Sequence, residues 1–303
     1  MENKLKFKDY DFKSKFIEIK GSKIHYIDEG EGEVILLIHG MPSWSYLWRN
    51  VIPSLKNSYR CVALDLIGFG LSDSPDIEFR VKDHLKYLTQ FVEKLGLQNI
   101  RILAHSWGAV LGGLYAQKHE SNVKCLAYLE PMLGEWKSWS DFNPTMPPAQ
   151  ELFKKFRSKD GWNLIVEQNV FLEQVFFNAS VRQLSQEEKD AYISPFKEIS
   201  RRISAWRAPQ ELPIEGSPSD VCQMVNSLAD WMKKTSTPQL IFTTTPAAFF
   251  SNERLNEFLG GAKAISTHHL GEGRYNHLED YPEQVADIFK RWLSSNLDRR
   301  ERQ

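Results

Sequence analysis

The sequence predicts an α/β fold, in which a mostly parallel sheet is flanked by helices and interrupted by a helical insertion. Six short runs of almost uninterrupted apolar residues recur along the chain, a pattern typical of strands that helices cover on both faces. The spacing between these runs leaves room for crossover helices. Residues between Pro131 and Pro238, in contrast, show helical patterns and no strand-like run.

The elements follow one another in an order that fits this fold. Residues 16–27 alternate apolar and polar side chains around Gly21 and Ser22, which predicts an antiparallel hairpin at the sheet edge. Buried strands are then predicted over 34–38, 61–64, 100–104, 123–129, 239–242 and 264–270. Apolar residues of 81–95 recur at the helical period, so we expect a crossover helix there.

These patterns predict two domains within the 303 residues. Residues 1–130 and 238–303 form the α/β core, and residues 131–237 form a helical cap. The cap is rich in aromatic residues, namely Trp136, Trp139, Trp162, Trp206, Trp231, Phe171, Phe176 and Phe177. These rings could pack the cap against the core, or they could line a site for a hydrophobic ligand.

Composition excludes several classes of function. The formal net charge is −1 and basic residues do not cluster beyond the tail at 299–302, so we expect no nucleic-acid partner. The apolar runs are too short for a membrane span, and the first residues lack the apolar core of a signal peptide, which predicts a cytoplasmic protein. Cys61, Cys125 and Cys222 lie in apolar runs without metal-ligand spacing, so we expect buried thiols, no metal and no cofactor.

Ser106 is the most informative residue for function. It follows the apolar run 102–104 and His105, and it precedes a helix start that contains small residues, with Gly108 two positions on. A nucleophile elbow has this pattern, because a strained turn between strand and helix needs a small residue at that position for close packing. The residue two before the serine is Ala104, where the usual G-x-S-x-G pattern has glycine.

Three further segments carry a resemblance to a known family. They are the segment 39–49 that starts with His39 and Gly40, the segment 65–73, and the pair Glu130 and Pro131. Together with Ser106, they resemble the α/β-hydrolase superfamily, and within it the haloalkane dehalogenases and the Renilla-type luciferase, over about residues 12–293. The resemblance implies an eight-stranded α/β-hydrolase fold with an active site under the helical cap, at the carboxyl ends of the strands.

The chain departs from the dehalogenase pattern at three positions. The resemblance implies an aspartate nucleophile where this chain has Ser106, and a halide-binding asparagine where it has Met41. The halide-binding tryptophan is kept as Trp107. The segment 270–280 matches the family's histidine segment, but Tyr275 stands at the position of the catalytic histidine. We therefore expect that the protein is not a dehalogenase.

Several site roles are still compatible with a serine hydrolase. The resemblance implies that the backbone N–H groups of Met41 and Trp107 form an oxyanion hole, and that His39 supports the same turn. Glu130 matches the acid position of one branch of the family, although it could instead cap a helix of the cap. His277 lies two residues past the expected histidine, so its reach to Ser106 depends on the conformation of the loop.

Three hypotheses about function remain open at this level. The first is Ser106-dependent hydrolysis or acyl transfer on a hydrophobic ester, lactone or thioester. The second is a non-hydrolytic cyclase, lyase or isomerase, in which the Tyr275 phenol donates a proton or a hydrogen bond beside Ser106 and Glu130. The third is a protein that binds a hydrophobic small molecule without catalysis.

Overall fold

The computed structural model of the chain describes residues 7–142 and 147–297. The first residues considered as a signal peptide and the basic tail at 299–302 lie outside the described residues. The buried apolar side chains of the described residues form one continuous core that extends from the sheet into the region between residues 131 and 237.

Eight strands form one sheet in the order β1-β2-β4-β3-β5-β6-β7-β8. They are β1 (Lys15–Ile19), β2 (Ser22–Glu29), β3 (Val34–Ile38), β4 (Arg60–Leu64), β5 (Ile100–His105), β6 (Val123–Leu129), β7 (Gln239–Thr245) and β8 (Ile265–Glu272). The pairs β1/β2 and β2/β4 are antiparallel, and the remaining pairs are parallel. This is the mostly parallel sheet, with a hairpin at its edge, that the sequence predicts.

The two central strands are buried on both faces. Every residue of β3 and β5 is buried, which explains why both read as unbroken apolar runs. The last two strands extend further than the sequence predicts, to Thr245 and Glu272 instead of 242 and 270. A register shift between Thr243 and Thr244 lets the two strands continue to pair beyond the apolar part of each run.

The described residues contain ten α-helices. They are α1 (Ile52–Leu55), α2 (Val81–Lys94), α3 (Trp107–Lys118), α4 (Pro147–Phe156), α5 (Gln186–Ile193), α6 (Ile203–Gln210), α7 (Ser219–Lys234), α8 (Asn252–Leu259), α9 (His277–Asp280) and α10 (Pro282–Leu297). Helix α2 matches the predicted crossover helix to within one residue at its end.

Residues 131–237, here called the insert, separate β6 from β7. Its described part contains α4 to α7, short 3-10 and π-helical turns, and isolated β-bridges but no strand. The insert follows the carboxyl end of β6, which lies beside the carboxyl ends of β5 and β7. In open parallel sheets, ligands bind at the carboxyl ends of the strands, so the insert lies where it could cover such a site. That the insert is a separate cap domain remains a prediction.

Candidate active site

The backbone at Ser106 has the strained geometry of an elbow between strand and helix. Ser106 lies between β5 and α3 with φ 54° and ψ −119°, a conformation that side chains other than glycine rarely adopt. Its N–H donates to the Leu129 carbonyl oxygen at 2.8 Å, which ties the turn to the end of β6. The turn and this hydrogen bond hold the serine at the carboxyl ends of the central strands.

Two glycines let neighbouring backbone approach this turn. A Cβ atom at Gly108 would lie 2.3 Å from the Ile38 carbonyl oxygen, so helix α3 begins directly against the end of β3. A Cβ atom at Gly40 would lie 2.8 Å from the Cβ of Ser106. The turn after β3 therefore packs directly on the serine, and larger residues at either position would separate the two segments.

The residues expected to form the oxyanion hole lie in this close contact. Met41 follows Gly40, and its N–H donates to no backbone carbonyl among the described residues. Trp107 is the first residue of α3, so its N–H has no partner within the helix. Met41 and Trp107 both line the same cavity, which makes their amides candidate donors to a bound oxygen.

His39 stabilises the turn after β3 through both of its ring nitrogens. The Leu66 N–H donates to His39 Nε2 at 2.9 Å, so Nε2 is the unprotonated nitrogen. Nδ1 then carries the proton and lies 2.7 Å from the Gly40 carbonyl oxygen. Burial lowers the pKa of this imidazole, which keeps it neutral, and its side chain does not line the cavity.

Tyr275 is the hydrogen-bond partner of Ser106. The Tyr275 hydroxyl donates to Ser106 Oγ at 2.8 Å and lies 3.0 Å from the Met41 carbonyl oxygen, a second acceptor for the same proton. Burial raises the pKa of Tyr275 well above its ordinary value, and the nearby Glu130 carboxylate raises it further. The phenol is therefore a neutral donor, whereas a general base would have to accept the proton of the serine.

The Tyr275 side chain is oriented by His105. The His105 Nε2 lies 2.8 Å from the Tyr275 carbonyl oxygen, and the two rings pack edge to face with centroids 4.6 Å apart. Burial lowers the pKa of His105 to about 3, so the imidazole is neutral and acts as a donor to the carbonyl.

Glu130 and His277 form a second pair. Glu130 Oε2 accepts hydrogen bonds from the N–H groups of Ala248 and Phe249, at 3.2 and 2.8 Å. Glu130 Oε1 lies 3.1 Å from His277 Nε2, which also lies 2.9 Å from Thr244 Oγ1. His277 makes no hydrogen bond to Ser106 among the described residues, so the imidazole is beside the acid but not beside the serine.

The four predicted catalytic residues therefore form two pairs, Ser106 with Tyr275 and Glu130 with His277. Thr244 is an additional site residue that the sequence did not reveal, because a threonine at the end of a strand carries no distinctive chemical signal.

A cavity of about 260 Å³ lies beside Tyr275 under the insert. Its aromatic lining consists of Trp107, Phe153, Phe171, Phe176, Phe249 and Tyr275. Ser106 is fully buried and is not part of this lining, so Tyr275 is the member of the Ser106–Tyr275 pair that lines the cavity. Among the described residues, no cluster of three or more acidic, histidine or cysteine side chains could hold a metal ion.

The tryptophans of the insert have other roles. None of the five lines the cavity. Trp136 is buried and packs against Phe142 and Phe249, whereas Trp162 is exposed and packs against Trp206. Of the aromatic residues singled out in the insert, only Phe171 and Phe176 face the cavity, so packing accounts for most of these rings.

The three cysteines, Cys61, Cys125 and Cys222, are buried and free, as the sequence predicts. Burial raises the pKa of each thiol, to about 12 for Cys61 and Cys125 and to about 11 for Cys222. No helix of the described residues is both long and apolar enough to cross a membrane.

The sheet order and the strained serine turn define the class of protein as an α/β-hydrolase fold. A family model described as the alpha/beta hydrolase fold matches residues 33–160. A haloalkane dehalogenase of Mesorhizobium japonicum is 34% identical over 279 residues, which cover 91% of this chain and 90% of the relative. A second haloalkane dehalogenase, of Sphingobium indicum, is 38% identical over 254 residues and covers 80% of this chain and 83% of the relative.

Solved structures give the same result. A haloalkane dehalogenase from Bradyrhizobium elkani superposes with a TM-score of 0.91 at 33% identity, covering 94% of this chain and 98% of that structure. A putative ancestral haloalkane dehalogenase superposes with a TM-score of 0.89 at 36% identity, covering 93% and 98%. The chain therefore belongs to the haloalkane dehalogenase-like family of α/β-hydrolases.

Proposed function

We propose that this protein is an enzyme that acts on a hydrophobic small molecule by polarising one of its oxygen atoms, without hydrolysis. The substrate lies in the aromatic cavity, and its oxygen accepts hydrogen bonds from the Met41 and Trp107 amides and from the Tyr275 hydroxyl. One observation supports this most directly: Tyr275 lines the cavity, and its hydroxyl, not an imidazole, makes the hydrogen bond to Ser106.

The chemistry follows from the groups that line the cavity. Besides Tyr275, the only titratable side chain in the described lining is that of Arg274, so no carboxylate or imidazole is available there as a base. Fixed donors stabilise negative charge that develops on a substrate oxygen. This suits a cyclisation in which a nucleophilic group of the substrate adds to the substrate's own carbonyl or enone. The carbonyl oxygen gains charge while Tyr275 hydrogen-bonds to it, and the proton that the nucleophile loses ends on the product, so no external base is consumed. When the Tyr275 hydroxyl donates to the substrate, Ser106 donates its own proton to the Tyr275 oxygen, which positions the phenol, and Ser106 forms no acyl intermediate.

Two variants test this proposal. A mixture of carbonyl-containing hydrophobic metabolites is incubated with the wild type, Ser106→Ala and Tyr275→Phe, and products are followed by mass spectrometry. We expect products isomeric with their substrates, which Ser106→Ala still forms at a reduced rate and Tyr275→Phe does not form. Complete loss of product in Ser106→Ala, with retention in Tyr275→Phe, would contradict the proposal. Saturable binding without product would instead favour a non-catalytic binding protein.

Ser106-dependent hydrolysis or acyl transfer is the second candidate. The strained backbone of Ser106 and the two neighbouring amides favour it, since a nucleophile elbow has the same geometry. It requires a base to reach Ser106 on substrate binding, because catalytic hydrogen bonds can be incomplete without substrate. Fluorophosphonate labelling that Ser106→Ala abolishes would support this candidate, and active protein that resists labelling would exclude it. An acyl-ester panel with His277→Ala shows whether His277 takes part.

We further propose that the protein does not dehalogenate, although its relatives are named as dehalogenases. A neutral serine hydroxyl without a base cannot displace halide in the way that an ionised carboxylate can. Halide release from 1-bromobutane or 1,2-dibromoethane is therefore expected to equal that of buffer alone. Release that depends on Ser106 would overturn this expectation.

A further inference from the structure

The cavity has one polar end. Most of its lining is apolar, but Gln174, Asn178 and Arg274 also belong to it. These three residues lie together, because Arg274 Nη1 donates to the Asn178 carbonyl oxygen at 3.2 Å and Asn178 Nδ2 donates to the Gln174 carbonyl oxygen at 2.7 Å. Arg274 is the only charged side chain in the described lining.

The polar end adjoins a second opening. A cleft of about 460 Å³ lies next to the cavity, and the two share Asn178 and Arg274 as wall residues. The lining of the cleft is largely polar and includes Arg182, Lys189 and Glu272. Asn178 and Arg274 therefore lie at the boundary between the apolar cavity and a polar cleft.

The charge of this cleft is positive. Arg182 is neutralised, because its guanidinium pairs with Glu188 and Glu279. Arg274 and Lys189 form no ion pair among the described residues; Lys189 lies over the Phe177 ring at 5.9 Å. Glu272 is the single carboxylate in the cleft lining, so two unpaired cations face one anion there.

We propose that the ligand of this site is amphipathic, with an apolar body in the cavity and a terminal carboxylate or phosphate bound by Arg274. The proposal rests on the proposed function only in using the same cavity. The planar guanidinium offers paired N–H donors to either anion. Burial of the apolar body stabilises the complex but does not determine which way round the ligand binds. The anion at Arg274 would set which end of the molecule reaches Tyr275.

Binding of three probes with the same ten-carbon chain tests this proposal without any need for turnover. Decanoate, decyl phosphate and the neutral methyl decanoate are compared by calorimetry on the wild type, Arg274→Gln, Arg274→Lys and Lys189→Gln. We expect the wild type to bind at least one anion about tenfold more tightly than the ester, since a charge-assisted hydrogen bond has that order of effect. Arg274→Gln should abolish this preference, and Arg274→Lys should restore part of it.

Lys189→Gln is the matched control, because Lys189 lines the cleft but not the apolar cavity. It should weaken anion binding far less than Arg274→Gln does, because Lys189 lies over the Phe177 ring and lines only the cleft. Equal affinity for the ester and both anions, no binding of any probe, or equal weakening of all three in Arg274→Gln would overturn the proposal. A preference for decanoate identifies a free acid as the ligand, and one for decyl phosphate identifies a phosphate arm.

The same measurement on Tyr275→Phe separates this proposal from the proposed function. If Tyr275→Phe retains the preference for anions while wild-type turnover is never found, the ligand class stands and the catalytic proposal fails. If turnover depends on Tyr275 but the anion preference is absent, the reverse holds.

Discussion

Glu130 Oε1 lies 3.1 Å from His277 Nε2, and both side chains are completely buried. The Glu130 carboxylate is further fixed by the amides of Ala248 and Phe249, and His277 by the hydroxyl of Thr244. The pair therefore consists of a carboxylate and an imidazole that are both held in a fixed orientation. Among the described residues the pair makes no hydrogen bond to Ser106, and Tyr275 makes that bond instead.

This arrangement predicts that His277 contributes mainly to stability. His277→Ala leaves the buried Thr244 Oγ1 without its hydrogen-bond partner and removes the imidazole next to Glu130 Oε1, which should lower the free energy of unfolding by about 1–3 kcal/mol. Urea unfolding measures this change. His269→Ala is the matched control, since His269 is an exposed residue of β8, and its stability should stay within about 0.5 kcal/mol of the wild type. Equal stability of the two variants would mean that the buried pair contributes nothing to the fold.

The strain at Ser106 can be measured by comparing two substitutions. Ser106→Ala and Ser106→Gly both remove the hydroxyl, but only glycine relieves a backbone with φ 54°. We expect Ser106→Gly to be more stable than Ser106→Ala by about 0.5–1 kcal/mol, a net value because glycine also loosens the unfolded chain. Thermal unfolding gives the comparison.

The control for this pair is Ala109→Gly, three residues along in α3, where the same glycine should destabilise by about 1 kcal/mol. A variant Ser106→Gly that is less stable than Ser106→Ala would show that the turn carries no strain.

Most of the fold was predictable because a strand that is buried on both faces consists of an unbroken run of apolar residues. β3 and β5 are apolar throughout, and the hairpin turns at Gly21, which has φ 75°. The ends of β7 and β8 were less predictable, because the extra paired residues depend on a register shift and not on hydrophobicity.

The partners within the site were not predictable from the sequence. The loop that carries Tyr275 and His277 is fixed by the insert, since the N–H groups of Tyr275 and Asn276 both donate to the Ala179 carbonyl oxygen. That contact joins segments nearly a hundred residues apart, and it helps to hold the loop in which the phenol, not the imidazole, bonds to Ser106. The polar end of the cavity, at Arg274, belongs to the same loop, and no local sequence pattern indicates it.

Close packing at the elbow predicts a strong effect at Gly108. The Cβ of Gly108→Ala would lie 2.3 Å from the Ile38 carbonyl oxygen and 2.6 Å from that of His39, and backbone atoms cannot move away cheaply. We expect a loss of about 1–3 kcal/mol in stability and displacement of the Met41 and Trp107 amides from each other. Chemical denaturation measures the first effect and loss of ligand binding the second. Gly261→Ala, where an added Cβ meets nothing within 4 Å, should leave both unchanged.

A buried charge cluster joins helix α5 of the insert to Arg49 and to helix α9 of the core, and it predicts how stability depends on pH. Arg49 donates to Glu279 at 2.6 and 2.8 Å and to Glu188 at 3.0 Å. Burial raises the pKa of both carboxyls, but hydrogen bonds and charge from Arg49 and Arg182 more than offset it. The pKa of Glu188 falls to about 2, and that of Glu279 lies below its ordinary value.

A carboxyl whose folded pKa is depressed stabilises the protein above its unfolded pKa, near 4.5 for glutamate, and loses that contribution as pH falls. Wild-type stability should therefore drop between pH 5 and about 2. Arg49→Met removes one partner and should cost about 3 kcal/mol at pH 7, with a shallower decline below pH 5. Lys154→Met, in the exposed pair with Glu151, should keep the wild-type profile, measured by urea unfolding at each pH. If Arg49→Met declines as steeply as the wild type, other groups govern the acid sensitivity.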